Sequence, residues 1–280
     1  MKLVSYAIAG GEAFGRLDGD GIVELGTGPQ ALRRAIAHGM QAFEGPGLAT
    51  RDPGGVELLP PVPDPGKIVC IGKNYKAHVA EAGHAAPPPF PSLFIRLTNT
   101  LVPHGGNLVR PALSDNFDFE GELALIIGRG GRHIAREDAL GHIFGYAIFN
   151  DASVRDFQFK HSLAAGKNFF ASGGFGPAIT TADEVADPGR LSLRTRLNGA
   201  TVQDATTADL IYDIPFIINY VSGFTPLEPG DVIATGTPEG VGFARKPPLW
   251  MKHGDTIEVE IETLGTLRNG VIDETSLSQS

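Results

Sequence analysis

The chain has 280 residues, 42% of them hydrophobic and 20% charged, the balance of a globular protein with room for a large core. Its net charge of −9 argues against a nucleic-acid or anionic-membrane partner, because binding such polyanions needs clustered Lys and Arg. No apolar run approaches the ~20 residues of a bilayer span. Met1-Lys2-Leu3-Val4 does not open a signal peptide, and the single cysteine, Cys70, forbids an internal disulfide, so a reducing cytoplasm is expected.

Residues 1–60 read as a small opening α+β domain. Strands are expected over residues 3–9, 13–17 and 22–25, with a Gly19-Asp20-Gly21 turn between the last two and a short helix over 31–37. Pro60-Pro61-Val62-Pro63-Asp64-Pro65-Gly66 is a linker, since consecutive fixed φ angles and missing N–H groups prevent regular structure. A larger domain is expected over residues 66–280. It starts with the apolar strand 68–71, where Cys70 is a core residue, then a helical turn over 75–82, a Pro-rich loop over 87–91 and a strand over 92–97.

After the acidic stretch described below come a short helix over 136–143 and a buried strand over 144–149 that ends at Asn150-Asp151. The strand 191–197 runs into Asn198-Gly199, the strongest short hairpin signal. A helix is expected over 209–222, with Pro215 kinking or dividing it. Ile257, Val259 and Ile261 alternate with Glu258, Glu260 and Glu262 in a half-exposed strand. Strands outnumber helices without alternating regularly with them, which predicts a mostly β, antiparallel-rich fold with some α.

The acidic stretch Asp118-Phe119-Glu120-Gly121-Glu122 runs straight into Leu123-Ala124-Leu125-Ile126-Ile127. Read as one strand, it sets Asp118, Glu120 and Glu122 on one face and Phe119, Leu123, Leu125 and Ile127 on the other. Like charges ~4 Å apart repel by about 4 kcal/mol at an effective dielectric of about 20. A bound cation explains such crowding, and an all-oxygen ligand set favours Mg²⁺, Mn²⁺ or Ca²⁺ over Zn²⁺. The alternative is a strand edge whose acids face water.

Other candidates are scattered along the chain. His78 and Glu81 are i, i+3 neighbours on a helix, so the carboxylate can orient the imidazole for activating water; an exposed His–Glu pair is the alternative. Asp151 closes a buried strand, where its side chain can reach a cleft and add a metal oxygen. Arg155 and Asp156 read as a structural ion pair or cap, and Gln158 can donate to or accept from a substrate carbonyl. Lys167, between Gly166 and Phe169-Phe170, is either a partly dry cation for an enolate or carboxylate or a surface lysine. The loop Thr235-Gly236-Thr237-Pro238-Glu239-Gly240 offers backbone N–H groups but lacks the spacing of a nucleotide-binding loop.

The order and wording of these pieces resemble the fumarylacetoacetate hydrolase family. The matching text is Ile71-Gly72-Lys73-Asn74-Tyr75 with His78 and Glu81, Asp118 to Glu122 running to Gly128-Arg129, Gly145-Tyr146, Asn150-Asp151, and Arg155-Asp156 with Gln158. It continues through Gly166-Lys167-Asn168-Phe169, Asn198-Gly199, Pro229-Gly230-Asp231-Val232-Ile233, Thr235-Gly236-Thr237-Pro238 and Gly254-Asp255. The likeness covers about residue 66 to the end and points to bacterial members of the acylpyruvate hydrolase or 2-hydroxyhepta-2,4-diene-1,7-dioate isomerase kind. It departs from the family at Arg96, where Lys is common, and at Phe159-Lys160-His161-Ser162-Leu163, where many relatives carry Trp. Both positions lie where a substrate tail is expected, so no single relative's substrate carries over.

The resemblance implies a mixed β-sandwich roll and a homodimer. It implies that Glu120, Glu122 and Asp151 bind one divalent cation, Mg²⁺ or Mn²⁺ with Ca²⁺ as a further candidate. Lys167 would stand beside the metal, His78 and Glu81 would activate water, and Gln158 and Thr237 would touch substrate. Arg96 is the candidate partner of a remote substrate carboxylate. The expected activity is hydrolysis of a carbon–carbon bond in a 2,4-dioxo carboxylic acid of the acylpyruvate or fumarylpyruvate type, in aromatic or sugar-acid catabolism. The alternatives are decarboxylation of a 2-oxo acid such as oxaloacetate, or isomerisation of a 2-hydroxydienoate. A metal-bearing binding protein without turnover is the non-catalytic rival, disfavoured because no ligand and neither member of the His–Glu pair is missing.

Overall fold

The computed structural model describes residues 1–83 and 85–279. Its opening segment is a meander of β1 (Lys2–Ile8), β2 (Gly11–Asp18), β3 (Gly21–Thr27) and β4 (Ala49–Arg51), with helix α1 (Ala31–His38) inserted before β4. The linker follows. Then come β5 (Ile68–Gly72), α2 (Lys76–Glu81), β6 (Ser92–Ile95), β7 (Leu101–Val102), β8 (Asn107–Arg110), β9 (Phe117–Asp118), β10 (Gly121–Ile127) and β11 (Ile143–Asn150). The chain continues through β12 (Ser153–Val154), α3 (Arg155–Lys160), α4 (Leu163–Lys167), β13 (Gly173–Thr181), β14 (Ser192–Leu197), β15 (Ala200–Thr206) and α5 (Ile214–Phe224). It closes with β16 (Val232–Ala234), β17 (Thr256–Ile261) and β18 (Gly265–Asp273).

The strands form a mostly β, mixed architecture. One large sheet has the order β4-β3-β2-β1-β13-β11-β10-β16-β5-β6, and a second has the order β15-β14-β17-β18-β8. β1 pairs antiparallel with β13, so the N-terminal meander extends the same sheet that carries β10 and β11.

All seven residues of β10 are buried, because both faces of the large sheet are covered there. Leu123, Leu125 and Ile127 pack with Val259, Ile261 and Leu267 of the second sheet and with Ile217 and Val221 of α5. Ala124 and Ile126 point the other way, into a cluster with Phe149, Phe175, Leu32 and Ile36. Cys70 is a free, buried thiol of that second cluster. The Asn198-Gly199 turn between β14 and β15 has φ of 52° and 80°, the paired positive angles of a tight hairpin that suits the strand twist.

The structure corrects two expectations. The acidic stretch is not one strand: β9 pairs with β12 in a separate ribbon, the chain breaks at Phe119-Glu120, and β10 starts only at Gly121. The short helix expected over 136–143 is present, as a 3₁₀ helix (Arg136–His142). Pro215 neither kinks nor divides a long helix; it lies in the first turn of α5, where its missing N–H has no helical partner to lose. Asp213 caps that helix by accepting from the Phe216 N–H at 2.8 Å.

Candidate metal centre

Sheet register assembles the site. Gly121 of β10 stands opposite Asn150 of β11, and the Asp151 N–H donates to the Glu120 carbonyl at 2.8 Å. Asp151 is thereby fixed beside Glu120, and one carboxylate oxygen from each of Glu120, Glu122 and Asp151 lies within 4.8 Å of the others. All three side chains are buried. Only glycine fits between the two glutamates, because a Cβ at Gly121 would lie 2.3 Å from Thr195 Oγ1. On the other flank Ala124 pairs with Ala234 of β16, which brings the Gly236 N–H to Glu122 Oε2 at 2.8 Å. β5 runs parallel to β16, with Cys70 opposite Ala234, so the Gly72-Lys73 turn emerges at the same end.

The buried charges around this point do not balance. Four carboxylates, Asp118, Glu120, Glu122 and Asp151, face three cations, Arg96, Arg155 and Lys167. Lys167 Nζ bridges Glu120 Oε2 at 2.6 Å and Asp151 Oδ2 at 2.5 Å, and also donates to the Asp151 carbonyl at 2.9 Å. Arg155 pairs with Asp118 at 2.8 Å and with Glu120 at 2.6 Å. Arg96 pairs with Asp151 Oδ1 at 2.6 Å. Glu122 has no ion-pair partner among the described residues.

These pairings set the protonation states. Burial alone would raise Glu120, but the Arg155 and Lys167 charges outweigh it and hold the carboxyl at about 2. Burial pushes Glu122 well above the usual carboxylate range, and the neighbouring Asp151 and Glu120 charges push it further. Burial opposes the Lys167 charge, yet Asp151 and Glu120 more than offset this and keep the ammonium protonated. Surplus negative charge in a dry, all-carboxylate set fits a hard divalent cation, which would neutralise the repulsion that raises Glu122.

A cleft of about 480 Å³ opens on this centre. His78, Glu120, Glu122, Gln158, Lys167 and Thr237 line it, so six of the residues singled out from the sequence share one space. Glu81 stands behind His78: its Oε1 lies 2.8 Å from His78 Nδ1 and its Oε2 accepts from the Gly240 N–H at 2.9 Å. If Nδ1 donates to that carboxylate, Nε2 is the basic nitrogen. Gln158 Oε1 accepts from Arg155 Nη1 at 2.9 Å, and its amide N–H groups have no partner among the described residues. Thr237 Oγ1 donates to the Gly121 carbonyl at 3.0 Å and accepts from Gln203 Nε2 at 2.9 Å. The glycine before Lys167 is also dictated by packing, since a Cβ at Gly166 would sit 2.5 Å from Gln158 Cβ where α4 meets α3.

Two expectations change here. Asp118 does not join the other carboxylates; its oxygens take the Arg155 guanidinium and the Gly242 and Phe243 N–H groups at 2.7–3.0 Å. Arg96 does not face the cleft. Its side chain is fully buried and is occupied by Asp151, the Ala152 carbonyl, Ser172 and Thr100, so it supports Asp151. The sequence reading also passed over contributors to the cleft. Arg155 pairs with Asp118 and Glu120 and not with Asp156, which accepts from the Ser114 hydroxyl, and it lines the cleft as well; Phe159 and Phe243 meet edge to face at 5.4 Å in its wall. Lys73 lines it too, and nothing in the local sequence separates a cleft lysine from a surface one.

Residues 67–272 match the family described as the C-terminal domain of fumarylacetoacetate (FAA) hydrolase. The chain belongs to the fumarylacetoacetate hydrolase family. Among curated relatives, it is 40% identical over 221 residues to the oxaloacetate tautomerase YisK of Bacillus subtilis (strain 168), covering 77% of this chain and 73% of that one. A fumarylacetoacetate hydrolase from psychrophilic Exiguobacterium antarcticum superposes with a TM-score of 0.86 at 37% identity, over 98% of this chain and 100% of that one. The maleylpyruvate hydrolase of Sphingobium sp. SYK-6, solved with manganese(II) and pyruvate, superposes with a TM-score of 0.82 at 34% identity, over 98% and 99%. The fold of the family is therefore that of this chain. Among the described residues no helix is long and apolar enough to cross a membrane.

Proposed function

We propose that this family member is a divalent-cation enzyme that interconverts the keto and enol forms of a 2-oxo acid of the oxaloacetate type. The observation that carries the proposal is the meeting, in one cleft, of the His78–Glu81 pair with the buried carboxylates Glu120 and Glu122 and the ammonium of Lys167. Glu120, Glu122 and Asp151 would hold Mg²⁺ or Mn²⁺, with Ca²⁺ as a third hard ion. When bound, the cation supplies a Lewis acid that lowers the energy of negative charge on the 2-oxo oxygen.

The protein's own groups supply the rest. His78, oriented through Nδ1 by Glu81, takes the proton from the carbon next to the 2-oxo group. That proton ends on the 2-oxo oxygen, so no water is added and no carbon–carbon bond breaks. Lys167, fixed by Glu120 and Asp151, places a cation beside the oxygen whose charge develops. Gln158 and Thr237 orient the acid in the cleft.

Similarity to the B. subtilis oxaloacetate tautomerase favours enol chemistry over the hydrolysis that the sequence put first. Hydrolysis of an acylpyruvate is the second reading, favoured by the likeness to the maleylpyruvate hydrolase; there His78 would activate a water instead. Decarboxylation and dienoate isomerisation draw on the same groups. We also propose a homodimer in a reducing, cytoplasmic setting, for which sedimentation and cell fractionation are the direct checks.

The decisive experiment follows the ultraviolet absorbance of enol-oxaloacetate with Mn²⁺ or Mg²⁺ present, alongside a panel of acylpyruvates. Accelerated enol loss without pyruvate release supports tautomerisation. Acylpyruvate cleavage with no effect on the enol supports the second reading. Inactivity on both classes removes the proposal.

A further inference from the structure

We propose that Lys73 is the specificity residue that reads the second carboxylate of a dicarboxylic 2-oxo acid, an inference that rests on the 2-oxo acid reading of the cleft. Three cations line the cleft: Lys73, Arg155 and Lys167. Arg155 is committed to Asp118 and Glu120, and Lys167 to Glu120 and Asp151. Lys73 forms no hydrogen bond or ion pair with any described residue, although it is partly buried. A cationic side chain that lines the cleft without a counter-anion gains a charge-assisted partner when a carboxylate enters.

The backbone holds this lysine in place. Lys73 has φ of 58°, a left-handed conformation that L residues other than Asn and Asp seldom adopt. Asn74 locks the turn: its side chain donates to the Thr235 carbonyl at 2.8 Å and the Tyr212 carbonyl at 3.1 Å, and accepts from the Tyr212 N–H at 2.8 Å. The same turn leads directly into α2 and His78, so tail recognition and the proposed base share one anchored segment. Arg96, the alternative reader, is spent on Asp151 and Ser172. Phe159 and Phe243 offer the tail only apolar surface.

The test uses Mn²⁺-loaded protein and two inert probes, 2-oxoglutarate and 2-oxovalerate, which share chain length and differ at the far carboxylate. Calorimetry on wild type, Lys73→Met and Lys73→Arg reads binding; oxalate, which has no tail, checks the metal end. Loss of one charge-assisted contact predicts 2-oxoglutarate binding weakened by about 10- to 100-fold in Lys73→Met. Binding of 2-oxovalerate and oxalate should stay unchanged, and Lys73→Arg should restore most of the diacid affinity. Equal loss for both probes, or no loss for either, overturns the assignment. Selective loss of the diacid in a protein that turns over neither oxaloacetate nor acylpyruvates sinks the catalytic reading and leaves Lys73 as the carboxylate reader. Binding of neither probe to metal-loaded wild type overturns both.

Discussion

Asp151 donates its main-chain N–H to the carbonyl of Glu120 at 2.8 Å, so the carboxylates of two residues far apart in the chain are set side by side by backbone geometry. Side-chain substitutions at the centre should therefore change its charge while leaving the β10–β11 register intact.

Glu122→Gln is expected to raise the thermal stability of the chelator-treated protein while weakening Mn²⁺ binding by at least the roughly 10- to 100-fold that loss of an outer partner costs. The amide keeps the acceptor for the Gly236 N–H and removes the carboxylate that lacks a cation. Scanning calorimetry with and without Mn²⁺ reads both effects. A variant less stable than wild type in chelator would show that the buried, unpaired Glu122 carboxyl does not burden the metal-free fold.

Metal affinity should rise with pH above the ordinary glutamate range. Burial and the Asp151 and Glu120 charges raise the Glu122 pKa, so the metal-free folded protein keeps a proton that the unfolded chain releases. The unfolded state then binds fewer protons, and metal-free stability falls as pH rises until the raised value is passed. A cation needs the carboxylate form, so its binding expels that proton. Titrations of Mn²⁺ in buffers of different ionisation enthalpy should record proton release; none at any pH contradicts the charge account.

His78→Ala should lower turnover by about 10²- to 10⁴-fold with Mn²⁺ affinity retained, the usual contribution of a positioned proton-transfer group. Glu81→Gln should also lower turnover with Mn²⁺ affinity retained, because an amide oxygen kept on the Gly240 N–H turns the NH₂ group to Nδ1 and favours the tautomer that carries its proton on Nε2. Turnover and metal binding measured on the same preparations separate this from simple misfolding. Unchanged turnover in His78→Ala would take that residue out of the reaction.

Arg96→Met should destabilise the fold by about 3–5 kcal/mol, since it strands the buried Asp151 Oδ1. The ratio of diacid to monoacid binding should not change, in contrast to Lys73→Met. Urea unfolding gives the first quantity and probe calorimetry the second; a shifted ratio would return Arg96 to the cleft.

The strand-rich class, the hairpin at Asn198-Gly199 and the buried strands 68–71 and 144–149 were legible because alternation, β-branched content and turn residues are local signals. Motif order also picked out Glu120, Glu122, Asp151, His78, Glu81, Lys167, Gln158 and Thr237, which the fold brings together around one cleft. Asp118 misled because a period of two assumes an unbroken strand, and the break at Phe119-Glu120 follows from the pairing of β9 with β12. Arg96 misled for a related reason. Whether a cation near a site faces substrate or supports a ligand depends on which neighbours reach it first, and Ser172 and Asp151 arrive from other elements.

The sequence by itself determined which chemical groups this protein owns, because residue types and their spacing along a strand or helix are fixed covalently. Only the tertiary structure decided how those groups divide the work. Cross-strand register put Asp151 beside Glu120, and the count of buried charges left Glu122 without a cation. A turn locked by Asn74 left Lys73 as the cleft cation with no partner among the described residues. Ion pairing and burial are properties of distances between remote segments, and those distances exist only once the sheets have closed.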